Sequence, residues 1–374
     1  MKFAIIIGTR PEIIKMSPII RELQRRRDSG APVEYFILHT GQHYSYNMDR
    51  VFFEQLNLPQ PKCNLKVGSG THAEETGRML IGIEKVLVEE EPDIVLVEGD
   101  TNTVLAGALA ASKLLLRVGH VEAGLRSFDK TMPEEINRVL TDHVSDYLFA
   151  PTEVAKSNLL REGIEERKIY VTGNTIVDAV HQNLKLAESV DTISKLGIDR
   201  YLLVTLHRQE NVDNPNRLRS IMKGLELASE DLNLPVVYPV HPRTRKRLKD
   251  NNIALSSKLV LLDPVDYLSF LKLESRADLI LTDSGGVQEE ACILRVPCVT
   301  LRDSTERPET VDVGANVLAG ALPKSILEKA RSMIFRRRDW ANPFGDGRAS
   351  QRIVDIIVES MNMVAEGTET TWQT

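Results

Sequence analysis

The chain has 374 residues, with 47 lysine and arginine against 53 aspartate and glutamate for a formal net charge of -6. That length exceeds what one hydrophobic core usually supports, so two domains of about 150 to 200 residues are expected. The negative balance excludes a general binder of nucleic acid or of a membrane surface, either of which needs a broad positive field. Cys63, Cys292 and Cys298 form no CxxC pair and are expected to pack in cores in a reducing compartment. The chain opens on a strand, no basic leader precedes an apolar stretch, and no apolar run reaches about 18 residues, so the expected location is the cytoplasm.

Short β-branched runs alternate with longer amphipathic segments, the pattern of βαβ units around parallel sheets. Strands are predicted at Phe3 to Ile7, Glu34 to His39, Ile94 to Val97, Val118 to Val121 and Tyr147 to Ala150. After Gly173 the pattern restarts, with strands at Tyr201 to Leu206, Val236 to Val240, Leu259 to Leu262, Leu279 to Thr282 and Cys298 to Leu301. The fold class is therefore α/β, with two Rossmann-like doubly wound domains. The expected boundaries are 1–173 and 174–356, with a closing helix at about 357–374 that packs back on the first domain. From Ser350 to Met363, the spacing of Ile353, Ile356, Ile357, Met361 and Val364 is helical, so the chain is expected to close on a packed helix, and the tail after Glu366 is expected to be disordered.

The polar residues cluster where these strands end, and in open parallel sheets ligands bind beyond the carboxyl ends of strands. In Gly8-Thr9-Arg10-Pro11-Glu12, Pro11 suits the first helical position, and Ile13, Met16, Ile19, Ile20 and Leu23 form the buried stripe behind it. Arg10 and Lys15 sit early in that helix, where the dipole disfavours a cation. Either an anionic ligand lies nearby or they are simple surface cations. In Glu98-Gly99-Asp100-Thr101-Asn102-Thr103, Asp100 reads first as the N-cap of a helix whose small residues, Ala106 to Ala111, allow close packing on the sheet. Singly, Glu122 after the next strand and Glu134 at a helix start read as solvated or capping carboxylates. Together with Asp100 they make three carboxylates at neighbouring sheet ends, a grouping that raises pKa values and suits proton transfer.

In the second half, His207 follows an apolar strand and would face those carboxylates across a cleft between the domains. The stretch Leu279 to Glu290 reads as buried strand, glycine turn and helix start. Gly285 and Gly286 are expected at positive φ, the helix-opening amides after Ser284 point at an anion, and Glu290 accepts hydrogen bonds from a ribose diol. Arg307 is a second cation for phosphate. The chain has no GxxxxGK[ST] and no HExxH. One decoy, Gly68-Ser69-Gly70-Thr71-His72-Ala73, fits a dinucleotide pattern but follows only Leu65 to Val67, broken by Lys66.

The motifs Gly8-Thr9-Arg10-Pro11-Glu12, Gly99-Asp100-Thr101, His120 to Arg126, Pro133-Glu134-Glu135, His207 to Asn211, Asp283 to Glu290 and Glu306-Arg307-Pro308-Glu309 stand in order over most of the chain. The series closely resembles the non-hydrolysing UDP-N-acetylglucosamine 2-epimerases. The resemblance implies a glycosyltransferase-B-like pair of domains with an interdomain active-site cleft, a homodimer, and interconversion of UDP-N-acetylglucosamine with UDP-N-acetylmannosamine; with no metal-spaced Cys/His group in the chain, no cofactor or metal is expected. It places nucleotide-sugar contacts on Arg10, Lys15, Asp100, Glu122, His207, Phe270, Ser284, Gly285, Gly286, Glu290 and Arg307, and acid/base work on Asp100, Glu122, Glu134 and His207. Val265 departs from a glutamine of some bacterial relatives. Gln42 and His241 match a regulatory substrate site of bacterial relatives, whereas Ser69-Gly70 stands where those carry Arg-Gln.

The C2 proton of a glycoside is not adjacent to a carbonyl, so direct deprotonation would give an unstabilised carbanion. Departure of UDP from C1 as a carboxylate takes that proton gives a neutral 2-acetamidoglucal instead, and UDP can add back with the proton delivered to the other face. A glycosyltransferase of the same architecture, a hydrolysing epimerase and a catalytically silent sensor are the competing readings.

Overall fold

The computed structural model describes residues 1–41, 46–191 and 196–365, leaving Gln42, part of the polar stretch 191–199 and the tail after Glu366 outside the described residues. The first half runs β1 (Lys2–Ile7), α1 (Arg10–Asp28), β2 (Glu34–His39), α2 (Tyr46–Gln55), β3 (Cys63–Asn64), α3 (His72–Glu90), β4 (Ile94–Glu98) and α4 (Asn102–Lys113). It continues with β5 (Arg117–Val121), α5 (Pro133–Val144), β6 (Tyr147–Ala150), α6 (Glu153–Arg161), β7 (Ile169–Val171) and α7 (Thr175–Ala187). The second half runs β8 (Leu202–Thr205), α8 (Gln209–Val212), α9 (Pro215–Leu232), β9 (Val236–Pro239), α10 (Pro242–Asp250), β10 (Leu259–Leu262) and α11 (Tyr267–Arg276). Then come β11 (Leu279–Thr282), α12 (Gly285–Ile293), β12 (Cys298–Thr300), α13 (Pro308–Asp312), β13 (Asn316–Leu318), α14 (Pro323–Ile334) and α15 (Ala349–Ala365).

Two units result: Met1–Ala179 with the closing segment from Phe344, and Val180–Pro343. Unit 1 is built on a seven-stranded parallel sheet in the order β3-β2-β1-β4-β5-β6-β7, and unit 2 on a six-stranded parallel sheet in the order β10-β9-β8-β11-β12-β13. Both are doubly wound α/β sheets. All ten predicted strands are present. The three that the apolar pattern does not reveal, β3, β7 and β13, have two or three residues each and lie at sheet edges, too short to carry a period and only partly buried.

The central strands are apolar on both faces because helices cover both. In β1, Phe3 to Ile7 have no exposed surface, and α1 meets the sheet through Ile13, Met16, Ile19, Ile20 and Leu23, all fully buried. Small residues bring α4 close: a Cβ added to Gly107 would lie 3.0 Å from Val97 Cγ1 and 3.2 Å from Ile6 Cδ1. On α15, Ile353, Val354 and Ile357 are buried, and Arg26 of α1 pairs with Asp355 at 2.5 Å, so the closing helix packs within unit 1. Ile356 and Met361 are only partly buried, and the side chain of Val364 lies outside the described residues. The decoy glycine stretch resolves as the entry to α3, where Thr71 and Glu74 form a capping box. Cys292 and Cys298 are buried and Cys63 is half-buried on β3. Among the described residues, no helix is long and apolar enough to cross a membrane.

In each sheet the strand order reverses beside the first strand: between β1 and β4 in unit 1, and between β8 and β11 in unit 2. Connections leave in opposite directions there, opening a crevice at the carboxyl ends of the strands. Four of the polar motifs sit on the loops leaving β1, β4, β8 and β11.

Candidate functional site

In unit 1 the helix start after β1 is organised by a carboxylate. Glu12 accepts the amides of Gly8 at 2.5 Å and Thr9 at 3.3 Å, and the Thr101 hydroxyl at 2.6 Å. It thereby ties the loop after β1 to the loop after β4. Burial outweighs those hydrogen bonds and raises its pKa to about 7. Arg10 opens α1 with its guanidinium 5.5 Å from the centre of the Phe52 ring.

Lys15 reaches Glu122 at 2.5 Å and Glu98 at 3.4 Å. Lys15 is therefore not a simple surface cation, and two strand-end carboxylates of the protein itself meet its charge. Glu98 is fully enclosed, and desolvation lifts its pKa well above the usual carboxylate range, with Lys15 opposing and Glu122 adding to the rise. Glu122 follows β5 at φ 69°, a left-handed conformation that costs a non-glycine residue energy and is retained chiefly where a side chain must be aimed. It also accepts from Asn174 Nδ2 at 3.0 Å.

Asp100 does not cap α4. Thr101 occupies the cap, and the Asp100 carboxylate instead pairs with Arg138 of α5 at 2.5 Å. The cap reading fails because the turn carries the chain one residue further, and a cation from a helix thirty-eight positions away outcompetes the local amides. Asn137 Nδ2 donates to the Asp100 carbonyl at 2.9 Å, and Arg138 is shared with the buried Glu135 at 2.9 Å. Glu135 in turn accepts the amides of Ser127 and Phe128, fixing the segment before α5. Glu134 lies in the same first turn and is exposed. Beneath these loops His120 bridges Asp142, at 2.6 Å, and the Gly99 carbonyl, at 2.9 Å, while Arg126 joins Asp142 at 2.7 Å and Glu162 at 2.6 Å.

Unit 2 repeats the strategy. Asp283, fully buried at the end of β11, accepts the amides of His207 at 3.1 Å and Arg208 at 3.0 Å, and Asn211 Nδ2 at 3.1 Å. One carboxylate thus holds the loop after β8. The His207 ring is half-exposed, with Nε2 3.9 Å from Asp283. Desolvation, with Arg208, His241 and Arg302 adding repulsion, outweighs the attraction of Asp283 and holds His207 below its ordinary pKa. Its neutral form dominates at pH 7.

Ser284 caps α12, and the helix begins at Gly285. Neither Gly285 nor Gly286 has positive φ, contrary to the turn geometry expected. Their contribution is space: a Cβ on Gly286 would meet nothing within 4 Å, and one on Gly285 only Glu306 at 3.9 Å. The helix-opening amides have no carbonyl one turn back to bond, so a ligand can approach them. Glu290 is buried one turn on and accepts from Tyr267 Oη at 3.1 Å, and Phe270 is half-buried on α11, packed against the apolar cluster that includes Val287.

Arg307 is drawn to the buried Glu289, 2.7 Å from its Nε. Arg302 holds Glu306 in a two-pronged pair at 2.7 and 3.0 Å. Burial alone would raise the Glu306 pKa, but Arg302 overrides it and brings it to about 2. His241 caps α10, its Nδ1 accepting from the Arg243 amide at 3.2 Å.

The residues that the sequence did not single out, Glu12, Glu98, Arg138, Asn174 and Asp283, share one property. Each is a polar partner that immobilises a candidate. Four of them lie inside or beside the motif segments, where an unexplained charge was the available signal; Asn174 carried no such signal.

The UDP-N-acetylglucosamine 2-epimerase family model matches residues 24–358. A UDP-N-acetylglucosamine 2-epimerase of Methanocaldococcus jannaschii is 60% identical over 366 residues, covering 96% of this chain and 99% of the relative. A crystal structure of M. jannaschii UDP-GlcNAc 2-epimerase in complex with UDP-GlcNAc and UDP superposes with a TM-score of 0.85 at 59% identity, covering 96% of this chain and 100% of that one. A Pseudomonas aeruginosa UDP-2,3-diacetamido-2,3-dideoxy-D-glucuronate 2-epimerase is 46% identical over 363 residues, covering 96% of this chain and 100% of the relative. Since the similarity takes in both sheets and nearly the full length of each relative, the chain belongs to the UDP-N-acetylglucosamine 2-epimerase family.

Proposed function

We propose that this protein interconverts UDP-N-acetylglucosamine and UDP-N-acetylmannosamine by elimination and re-addition of UDP through a 2-acetamidoglucal. The observation that carries the reading is the division of chemistry between the two sheets. Unit 1 presents immobilised carboxylates at strand ends beside its switch point, and unit 2 presents helix-opening amides and Glu290 beside its own. The first set suits proton transfer at a sugar carbon, and the second suits a nucleoside diphosphate. Identity of 60% to the M. jannaschii enzyme, against 46% to the diacetamido-glucuronate enzyme, favours the simpler sugar.

In this scheme the α12 amides, Ser284 and Arg307 stabilise charge growing on the departing diphosphate, an electrostatic contribution of several kcal/mol when preorganised. Arg10 adds a cation, and Lys15 holds Glu122 in place through their ion pair. Asp100 and Glu134 exchange the C2 proton on opposite faces, because inversion requires two groups. Glu122 tunes them, and His207, neutral at rest, assists the leaving diphosphate. Glu290 takes the ribose diol, and Phe270 packs by the base. Incubation with UDP-N-acetylglucosamine in D2O tests the scheme: deuterium is expected at C2 of both epimers. A C2 that stays protonated while product forms would sink it, and free N-acetylmannosamine would indicate a hydrolysing enzyme.

Gly286→Val is expected to leave the melting temperature within about 2 °C, because open space receives the side chain. It should weaken UDP binding at least about tenfold by covering the amides, a loss of about 1.4 kcal/mol. Calorimetric titration with UDP measures this, and wild-type affinity would remove the cradle from the proposal.

We further propose a homodimer formed through unit 1. Ile81 and Val88 on α3 and Ile136 and Leu140 on α5 are about half-exposed, an unusual amount of apolar surface for two helices. Sedimentation should give twice the chain mass of 41.9 kDa, and a monomer at micromolar concentration would contradict it. Three free thiols fit the reducing cytoplasm, a placement that cell fractionation checks.

A further inference from the structure

Helices α11 and α12 bring two carboxyl groups together inside unit 2. Glu274, on the last turn of α11, has no exposed surface, and neither of its oxygens receives a hydrogen bond from a donor among the described residues. The polar group it meets is the carboxyl of Glu290, itself 7% exposed and hydrogen-bonded by Tyr267. The other titratable groups near Glu274 are Tyr267 on its own helix, Tyr201 just before β8, and Cys298 of β12. None of these is a cation. The cations of α11, Lys272 and Arg276, are half-exposed and exposed.

A buried carboxylate without a donor or a cation is far costlier than the neutral acid, and two adjacent ionised carboxylates are costlier still. One proton must therefore reside on the pair. The fully buried member holds it, and a carboxylic acid has one hydrogen bond to donate.

We propose that Glu274 is a positioning residue for nucleotide binding: as a neutral acid it donates a hydrogen bond to Glu290, fixing that carboxylate, singly charged, for the ribose hydroxyls of a uridine nucleotide. This rests on the assignment of Glu290 to the ribose made above. Burial and the neighbouring carboxylate push Glu274 in the direction that keeps its proton, and the two groups titrate as a pair.

UDP binding by the full chain is measured calorimetrically from about pH 6 to 9, the range in which deeply buried glutamates ionise. Wild type, Glu274→Gln and Glu274→Leu are compared. Wild-type affinity is expected to fall at least about threefold toward the alkaline end as the pair gains a second charge. Glu274→Gln, whose amide donates at every pH, should stay within about twofold of wild type at neutral pH and lose the slope. Glu274→Leu should bind about tenfold more weakly at an undiminished melting temperature.

Wild-type affinity in Glu274→Leu, or a wild-type pH slope in Glu274→Gln, overturns the proposal, and the glutamine variant decides it even if the leucine variant folds poorly. Failure of the underlying reading shows elsewhere: Glu290→Ala would then bind UDP undiminished, which removes the ribose assignment and the role of Glu274 with it.

Discussion

Asp100→Asn is expected to lower turnover at least about 100-fold and to suppress C2 deuterium incorporation to match, while leaving the fold intact. Asparagine has the same shape and can still accept from Arg138 through its carbonyl oxygen, but it cannot take up a proton at neutral pH. The loop that carries it is held independently of the carboxylate. His120 grips the Gly99 carbonyl at 2.9 Å, Asn137 grips the Asp100 carbonyl at 2.9 Å, and Thr101 is tied to Glu12 at 2.6 Å. The carboxylate is 30% exposed, so the stability at stake in its pair with Arg138 is near the about 1 kcal/mol of a partly solvated ion pair. Chemistry and fold are therefore separable at this position. Steady-state kinetics with a thermal melt tests the separation, and a rate within tenfold of wild type would exclude Asp100 as a proton-transfer group.

The largest loss of stability is expected at Asp142. Asp142→Ala removes the common partner of His120, at 2.6 Å, and Arg126, at 2.7 Å, in a network whose side chains are almost entirely enclosed. Removing one member of a buried ion network strands the others and costs about 3 to 5 kcal/mol. Denaturant unfolding measures this, and a loss below about 1 kcal/mol would contradict the network's role. Burial alone would raise the Asp142 pKa, but His120 and Arg126 prevail and hold it below the ordinary value. A depressed folded-state pKa means that the unfolded chain binds the proton more readily. The stabilisation is complete above the unfolded value of about 3.9 and disappears as pH falls through the folded value. Wild type should lose stability steeply in that acid window, and the alanine variant should lose less.

Legibility varied with the distance over which each feature is decided. The strand cores were plain because burial on both faces writes an unbroken apolar run, as in Ile94 to Val97 and Leu279 to Thr282. The stripe from Ile13 to Leu23 was equally plain, since helical spacing is a local property. At the site, residue types and their strand-end positions were readable, but their partners were not. Asp100 looked like a helix cap because capping is the commonest local use of aspartate, and only the arrival of Arg138 from α5 shows otherwise. Gly285 and Gly286 suggested a left-handed turn, whereas they are helical and matter for the surface they leave open.

The sequence by itself determined the two parallel α/β sheets, the order of their main strands and the family to which the chain belongs. Periodicity and motif order are properties of neighbouring residues and survive without coordinates. Tertiary structure alone decided which charges meet. Lys15 was paired with Glu98 and Glu122, Asp283 became the anchor of the His207 loop, and Glu274 was enclosed against Glu290. Each of these pairings joins residues far apart in the chain, and its energy depends on burial, which no local pattern specifies.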